Sequence, residues 1–262
     1  MSLPPLALLY VPADRPDRVE KAFASAAHAV IVDLEDAVAP GAKAEARANL
    51  ATLLGRPREK PAYVRVNPGD DADLEAVAGL ALAGVYIPKV AEPTGIPRLP
   101  LPIHCLVESA AGVEAAYEIA RAPGVAGISL GESDLRAETG AGEEGLDWAR
   151  SRIVNAAVAA GLPRPPQSVY PHLRDLDGLA VSCARGRELG HFGRAAIHPD
   201  QLPVIEQAYL PTETEVARAR EQLARGAGAS ALADGSFVDE AILRRARHVA
   251  ALAERYGTRI GV

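Results

Sequence analysis

Two carboxylates, Glu108 and Asp134, stand at the downstream ends of apolar runs, in Val-Glu108-Ser and Gly-Glu-Ser-Asp134. A pair of carboxylates completed by water and substrate oxygens makes a common Mg²⁺ site, because Mg²⁺ takes hard oxygen ligands and keeps much of its water. The bland alternative is a salt-bridged Glu108 and a helix-capping Asp134. Arg65 lies in Tyr-Val-Arg-Val-Asn, so strand alternation puts Tyr63, Arg65 and Asn67 on one face. A buried arginine is costly without an anion. Two readings stay open for it: a bidentate clamp on a substrate carboxylate, or an internal pair with Asp33 or Glu35. Lys89, ending Ile-Pro-Lys, reads as an ion-pair partner rather than a Schiff-base nucleophile. Asp239 opens the last helix and has capping-box spacing from Ser236. It also follows a Gly/Ala-rich stretch that could carry an acid over an active site.

These residues need elements to aim them. Short apolar runs alternate with longer amphipathic segments, the pattern of βα units around a parallel sheet. Eight strands are predicted, over residues 6–12, 29–36, 62–68, 84–90, 103–109, 127–134, 167–171 and 195–201. The seventh is crowded by Pro163, Pro165 and Pro166. Helices are predicted over 14–27, 42–54, 71–82, 113–122, 143–160 and 175–189. This is an α/β chain, and the expected fold is a (β/α)8 barrel over residues 1–210; an open doubly wound sheet is the alternative. Six of the predicted strands end in polar residues, and in parallel α/β folds ligands sit at the carboxyl ends of strands. A C-terminal helical extension or lid is expected over 211–262. It contains a helix over 213–225, a small-residue connector over 226–235, and a last helix. Val238, Ile242, Ala246, Val249 and Ala253 make one apolar stripe on that helix.

Two literal motifs fail their context. Gly140-Ala-Gly-Glu-Glu-Gly145 spells a dinucleotide fingerprint, but it does not follow a strand and its glutamates would repel a pyrophosphate. Gly127-Ile-Ser-Leu-Gly131 spells a nucleophile elbow, but the apolar run continues past the serine.

The chain has 262 residues, a formal charge of −6 and two cysteines. Its acidic balance argues against a nucleic-acid partner. Cys105 and Cys183 are too few for a disulfide framework and read as reduced thiols of a cytoplasmic protein. No apolar run reaches the roughly 20 residues of a membrane helix, and the N-terminus lacks the pattern of a signal peptide.

Several segments, in order along nearly the whole chain, resemble the CitE-like (citrate lyase β-subunit-like) branch of the HpcH/HpaI aldolase family. They are Tyr10-Val-Pro-Ala-Asp-Arg-Pro16, Val30-Ile-Val-Asp-Leu-Glu-Asp-Ala-Val38 with Lys43 and Arg47, Val64-Arg-Val-Asn-Pro68 and Ile87-Pro-Lys89. Val107-Glu-Ser109, Gly131-Glu-Ser-Asp-Leu135, Ile197-His-Pro-Asp-Gln201 and Asp234-Gly-Ser-Phe-Val-Asp239 follow. The resemblance implies a (β/α)8 barrel with a C-terminal lid, in trimers or hexamers. It implies Mg²⁺ on Glu108 and Asp134, with Arg65 and the backbone N–H groups near Glu132 and Ser133 on a 2-keto-acid carboxylate. Tyr10, Arg15 and Lys21 match positions that meet the coenzyme A arm. Asp239 matches an acid that a neighbouring subunit's lid places over the acyl-CoA α-carbon. Glu35 is implied to tune the metal's water or take the hydroxyl proton.

The implied reaction is a retro-Claisen cleavage of a 3-hydroxyacyl-CoA, such as citramalyl-CoA or malyl-CoA, to acetyl-CoA and a 2-keto acid. A malyl-CoA-type thioesterase and a lyase subunit using an acyl-carrier protein are alternatives on the same fold. A coenzyme A-independent pyruvate aldolase and a non-catalytic acyl-CoA-binding protein are others. The chain departs from the family pattern in three places: Leu6-Ala7 replaces an Arg-Ser, the seventh strand reads Arg-Pro-Pro-Gln-Ser, and His191 stands where Phe is usual.

Overall fold

The computed structural model describes residues 3–226 and 239–259. Most of the predicted connector, with Ser236 and Val238, lies outside these residues. Among the described residues there are seven strands: β1 (Ala7–Pro12), β2 (Ala29–Asp33), β3 (Ala62–Arg65), β4 (Gly84–Ile87), β5 (Ile103–Val107), β6 (Val125–Leu130) and β7 (Arg194–Ala196). The α-helices of the first half are α1 (Pro16–Ala24), α2 (Lys43–Leu54), α3 (Asp71–Val77), α4 (Ala110–Glu114), α5 (Ala116–Ala120) and α6 (Glu132–Thr139). Then come α7 (Asp147–Ala159), α8 (Leu176–Glu188), α9 (Gln201–Tyr209), α10 (Glu213–Arg225) and α11 (Glu240–Tyr256). The chain divides into two compact units, Pro4–Ile205 and a second that holds Leu3 and the described residues from Glu206 onward.

In the first unit every strand pair among the described residues is parallel, and the sheet order is β6-β5-β4-β3-β2-β1-β7. Successive strands neighbour each other and the last returns beside the first, as a (β/α)8-type barrel requires. The predicted seventh strand, 167–171, is reduced to one parallel bridge, from Gln167 to Arg194. Prolines at 163, 165 and 166 lie just upstream and keep a strand from starting earlier, and Pro171 lacks a ladder donor at the other end. On the other side of this segment the Glu132 N–H, just past β6, donates to Ser168 Oγ at 3.3 Å.

Inside the barrel Leu8, Ile31, Tyr63, Tyr86 and Leu106 pack as one cluster. The His104 ring stacks on Tyr86 with centroids 5.0 Å apart. It has room because glycines, Gly84 and Gly127, stand beside it on β4 and β6.

Several predicted boundaries move. The run 127–134 is strand only to Leu130, and Gly131 turns the chain so that Glu132 starts α6. Strand 195–201 ends at Ala196, and Gln201 starts a helix, α9, that the sequence reading did not predict. Pro203 falls in the first turn of α9, where its missing N–H costs nothing.

In the second unit α10 begins in a capping box. The Thr212 hydroxyl accepts from the Glu215 N–H at 3.1 Å, and the Glu215 carboxylate accepts from the Thr212 N–H at 2.7 Å. Leu243 of α11 packs with Leu223 of α10. The capping box expected from Ser236 lies outside the described residues; Asp239 precedes the first helical residue of α11 and accepts from the Ile242 N–H at 2.9 Å.

Candidate active site

The β2–β3 register sets Asp33 directly beside Arg65. Lateral neighbours in a sheet are close enough for their side chains to pair. The pair is bidentate, Nε to Oδ1 at 2.7 Å and Nη2 to Oδ2 at 2.6 Å. Asp33 also accepts from the backbone N–H groups of Glu35 and Ala37, at 3.0 and 2.9 Å. A fully buried carboxylate with this many donors is compensated for its lost hydration. Burial works against the Arg65 charge, but the Asp33 pair outweighs it and the Arg65 pKa is raised. The guanidinium lies 5.0 Å from the Tyr10 ring centroid and reaches Glu35 Oε2 through Nη1 at 3.0 Å.

The chain of charges continues to Lys89, whose Nζ lies 3.1 Å from Glu35 Oε1. That contact raises the Lys89 pKa, the opposite of what a Schiff-base nucleophile needs. The Lys89 backbone N–H donates to Glu108 Oε2 at 3.0 Å. Burial, then the like charges of Glu35 and Asp134, push the Glu108 carboxyl up to about 7. Glu35 is raised as well, mainly by burial. Asn67 does not join Arg65 on this face. The strand ends at Arg65, and Asn67 instead donates from its backbone and side chain to Asp73 Oδ2, at 2.7 and 2.6 Å.

A cavity of about 320 Å³ opens at the carboxyl ends of the strands. Tyr10, Asp33, Arg65, Glu108, Ser133 and Asp134 are on its wall, with Glu132 and Ser168, over an apolar floor that includes Leu8, Ile31 and Leu106. Five of the residues expected at a site from sequence beyond Arg65 are therefore here: Tyr10, Glu108, Glu132, Ser133 and Asp134. Glu35 is buried and joined to the wall through Arg65 and Lys89. Arg15, just before α1, and Lys21, on α1, lie exposed, both within reach of Asp17, at 3.3 and 3.9 Å. Asp239 belongs to the second unit.

The amino end of α6 forms one side of the cavity. Its first-turn N–H groups carry the partial positive charge of a helix terminus. Gly131 permits the approach of β5, because a methyl there would overlap the Glu108 carboxyl. The Glu132 side chain is not free to act: Arg150 holds it through Nε at 2.9 Å and Nη2 at 2.6 Å. Arg150 is 2% exposed and also bonds Glu143 and Asp147. Sequence reasoning missed Arg150. Its signal was a lone arginine on the stripe Leu146, Ala149, Ile153 and Ala157, all of them buried. Ser129 sits inside strand β6 rather than on an elbow, and Gly140 ends α6 in a left-handed cap, so neither literal motif has its context.

Among the described residues no three His, Cys, Asp or Glu side chains form a ready metal cage. The donor set nonetheless suits Mg²⁺. Five carboxylates, Asp33, Glu35, Asp36, Glu108 and Asp134, share this region with two cations, Arg65 and Lys89, an excess of negative charge that a divalent ion would relieve. Glu108 and Asp134 would hold the ion, with the rest of its shell from water and substrate.

The sequence pattern of the HpcH/HpaI aldolase/citrate lyase family matches residues 6–199. A (3S)-malyl-CoA thioesterase of Cereibacter sphaeroides is 34% identical over 94% of both chains. An L-malyl-CoA/beta-methylmalyl-CoA lyase of the same organism is 33% identical over 94% of this chain and 93% of its own. The crystal structure of CitE from Mycobacterium tuberculosis, in complex with magnesium, acetoacetate and coenzyme A, superposes with a TM-score of 0.84 at 33% identity, covering 98% of both chains. This chain belongs to the HpcH/HpaI aldolase/citrate lyase family, in its CitE-like branch.

Proposed function

We propose that the protein is a Mg²⁺-dependent carbon–carbon lyase. Its substrate is a 3-hydroxyacyl-CoA such as citramalyl-CoA or malyl-CoA, which it cleaves to, or forms from, acetyl-CoA and a 2-keto acid. The observation that carries this reading is the meeting of Glu108, Asp134 and Arg65 on one cavity, in a cluster with negative charge in excess. Bound by Glu108 and Asp134, Mg²⁺ would supply Lewis-acid polarisation of the substrate's hydroxyl and carboxylate oxygens.

In this reading the chain's own groups divide the remaining work. Arg65 meets the keto-acid carboxylate with the N–H groups not spent on Asp33 and Glu35. The first-turn amides of α6 near Glu132 and Ser133 support the same carboxylate. Glu35 takes the hydroxyl proton as the C–C bond breaks, a task suited to a carboxyl whose pKa burial has raised. Asp239, supplied by another copy in a homo-oligomer, gives a proton to the α-carbon of the departing acyl group and removes it in the reverse direction. Tyr10, Arg15 and Lys21 contact the coenzyme A arm.

The thioesterase reading has one observation in its favour, the 34% identity to a (3S)-malyl-CoA thioesterase. One assay separates the two. The protein is incubated with citramalyl-CoA, malyl-CoA or citryl-CoA and Mg²⁺, with and without EDTA. Metal-dependent acetyl-CoA with an equimolar keto acid supports the lyase. Free coenzyme A with an intact hydroxy acid means a thioesterase. No turnover of any ester overturns both.

A further inference from the structure

Lys89 is the one non-glycine residue among those described with a positive φ, at 56°. A left-handed backbone is costly for any residue with a Cβ, and glycine would occupy it freely. The side chain is 46% exposed, so its ion pair with Glu35 repays little of that cost in stability. Strain of this kind persists where the surroundings use it. Here it has two consequences in the cluster. The backbone turn points the Lys89 N–H at Glu108 Oε2, 3.0 Å away, and the ammonium reaches Glu35 Oε1 at 3.1 Å. Lys89 follows β4 by two residues, and it ties the carboxylate after β2 to the carboxylate after β5.

We propose that Lys89 is a positioning residue. Its amide orients Glu108 toward the metal position, while its ammonium holds the buried Glu35 carboxylate in place and in charge balance beside Arg65. This inference rests on the reading of Glu108 as a metal ligand. Lys89 touches no substrate in it; it acts through two other side chains.

The proposal predicts opposite changes in metal binding and turnover. Lys89→Met removes a positive charge beside a cluster already in negative excess, so a divalent ion is held as well or better. The same change releases Oε1 of Glu35 and leaves only the Arg65 contact on Oε2, so turnover falls. Mn²⁺ binding is followed by electron paramagnetic resonance at pH 8.5, and turnover on the ester the wild type accepts, for the wild type, Lys89→Met, Lys89→Arg, Lys89→Gly and Glu108→Gln. In Lys89→Met we expect Mn²⁺ affinity unchanged or up to about tenfold tighter, and kcat lower by about 10- to 100-fold with little change in KM. Lys89→Arg recovers most of the kcat. Lys89→Gly keeps the amide and relieves the backbone, so it binds Mn²⁺ like Lys89→Met and melts about 2–4 °C above it.

Wild-type kcat in Lys89→Met overturns the proposal. So does a joint loss of Mn²⁺ affinity, kcat and thermal stability in both the Met and Arg variants, which marks general damage. Glu108→Gln separates the two levels. If it abolishes Mn²⁺ binding while Lys89→Met behaves as wild type, only the role of Lys89 fails. If Glu108→Gln binds Mn²⁺ like the wild type, the metal reading fails and takes the Lys89 proposal with it.

Discussion

At the scale of single residues, burial decides which ionisable groups are at odds with their surroundings. His191 is 2% exposed, its Nδ1 lies 3.3 Å from the Pro165 carbonyl, and its Nε2 has no hydrogen-bond partner among the described residues. Burial pushes its pKa down to about 4. The unfolded chain therefore binds this proton more readily between about pH 6.5 and about pH 4, and stability falls as pH drops through that window. His191→Phe should raise stability by about 1 kcal/mol at neutral pH and flatten the acid limb, both read from urea denaturation across pH. The Pro165 carbonyl keeps the Phe192 N–H at 2.9 Å, so the change orphans nothing there.

Glu108 has the opposite sign. Its folded pKa, about 7, lies above that of a free carboxyl, so the folded state holds the proton more tightly and its contribution to stability declines as pH rises from about 4.5 to about 7. In EDTA at pH 8, Glu108→Gln should be more stable than wild type by on the order of 2 kcal/mol. The advantage should vanish near pH 4. A thermal melt series without metal tests this, and no advantage at pH 8 would mean that Glu108 is not strained by its neighbours.

At the scale of elements, α6 matters most. It opens on Gly131, carries Glu132 and Asp134 in its first turn, and meets the cavity with its amino end. Acidic residues there suit the helix dipole, but orientation comes from outside the helix. Arg150 on α7 grips Glu132, and Asp147 ties α7 to Arg185 on α8. Removing one partner of a buried pair leaves an uncompensated charge. Arg150→Met should destabilise the fold by about 3–5 kcal/mol, and Glu132→Gln in the same chain should recover part of that loss. Equilibrium denaturation of the single and double variants checks both.

At the scale of the whole molecule, the catalytic proposal divides its groups between two compact units: the cavity within Pro4–Ile205 and Asp239 in the other. Asp239 caps α11 through one carboxylate oxygen. Asn also caps well, so Asp239→Asn should leave stability nearly unchanged and lower turnover by about 10²- to 10⁴-fold. If the acid acts on another copy's cavity, unfolding and refolding a mixture of Asp239→Asn and Glu108→Gln should restore activity that neither variant has alone. Unchanged turnover in Asp239→Asn would remove it from the mechanism.

Much of this was legible in the residues themselves. Periodicity of two against 3.6 marks strands and helices whatever they pack on, and strand polarity in a parallel sheet sends the downstream ends to one mouth. The grouping of Arg65, Glu108 and Asp134 followed from that, and the ordered motifs pointed to the family. No helix among the described residues is long and apolar enough to cross a membrane, in line with the hydropathy of the chain.

What needed the tertiary structure was pairing between distant residues. Asp33 and Glu35 were both candidates for Arg65, and only the β2–β3 register made one of them bidentate. The seventh strand shrank to a bridge at Gln167, between Pro166 and Pro171, and its extent was set by what it met in space. Arg150, 18 residues from Glu132, became its partner through the packing of α7 beside α6. The left-handed turn at Lys89, with its contacts to Glu108 and Glu35, had no mark in the local pattern. Local pattern is a property of neighbours in sequence. Ion pairs, register and backbone strain depend on distances in space, and those are defined only when the barrel closes.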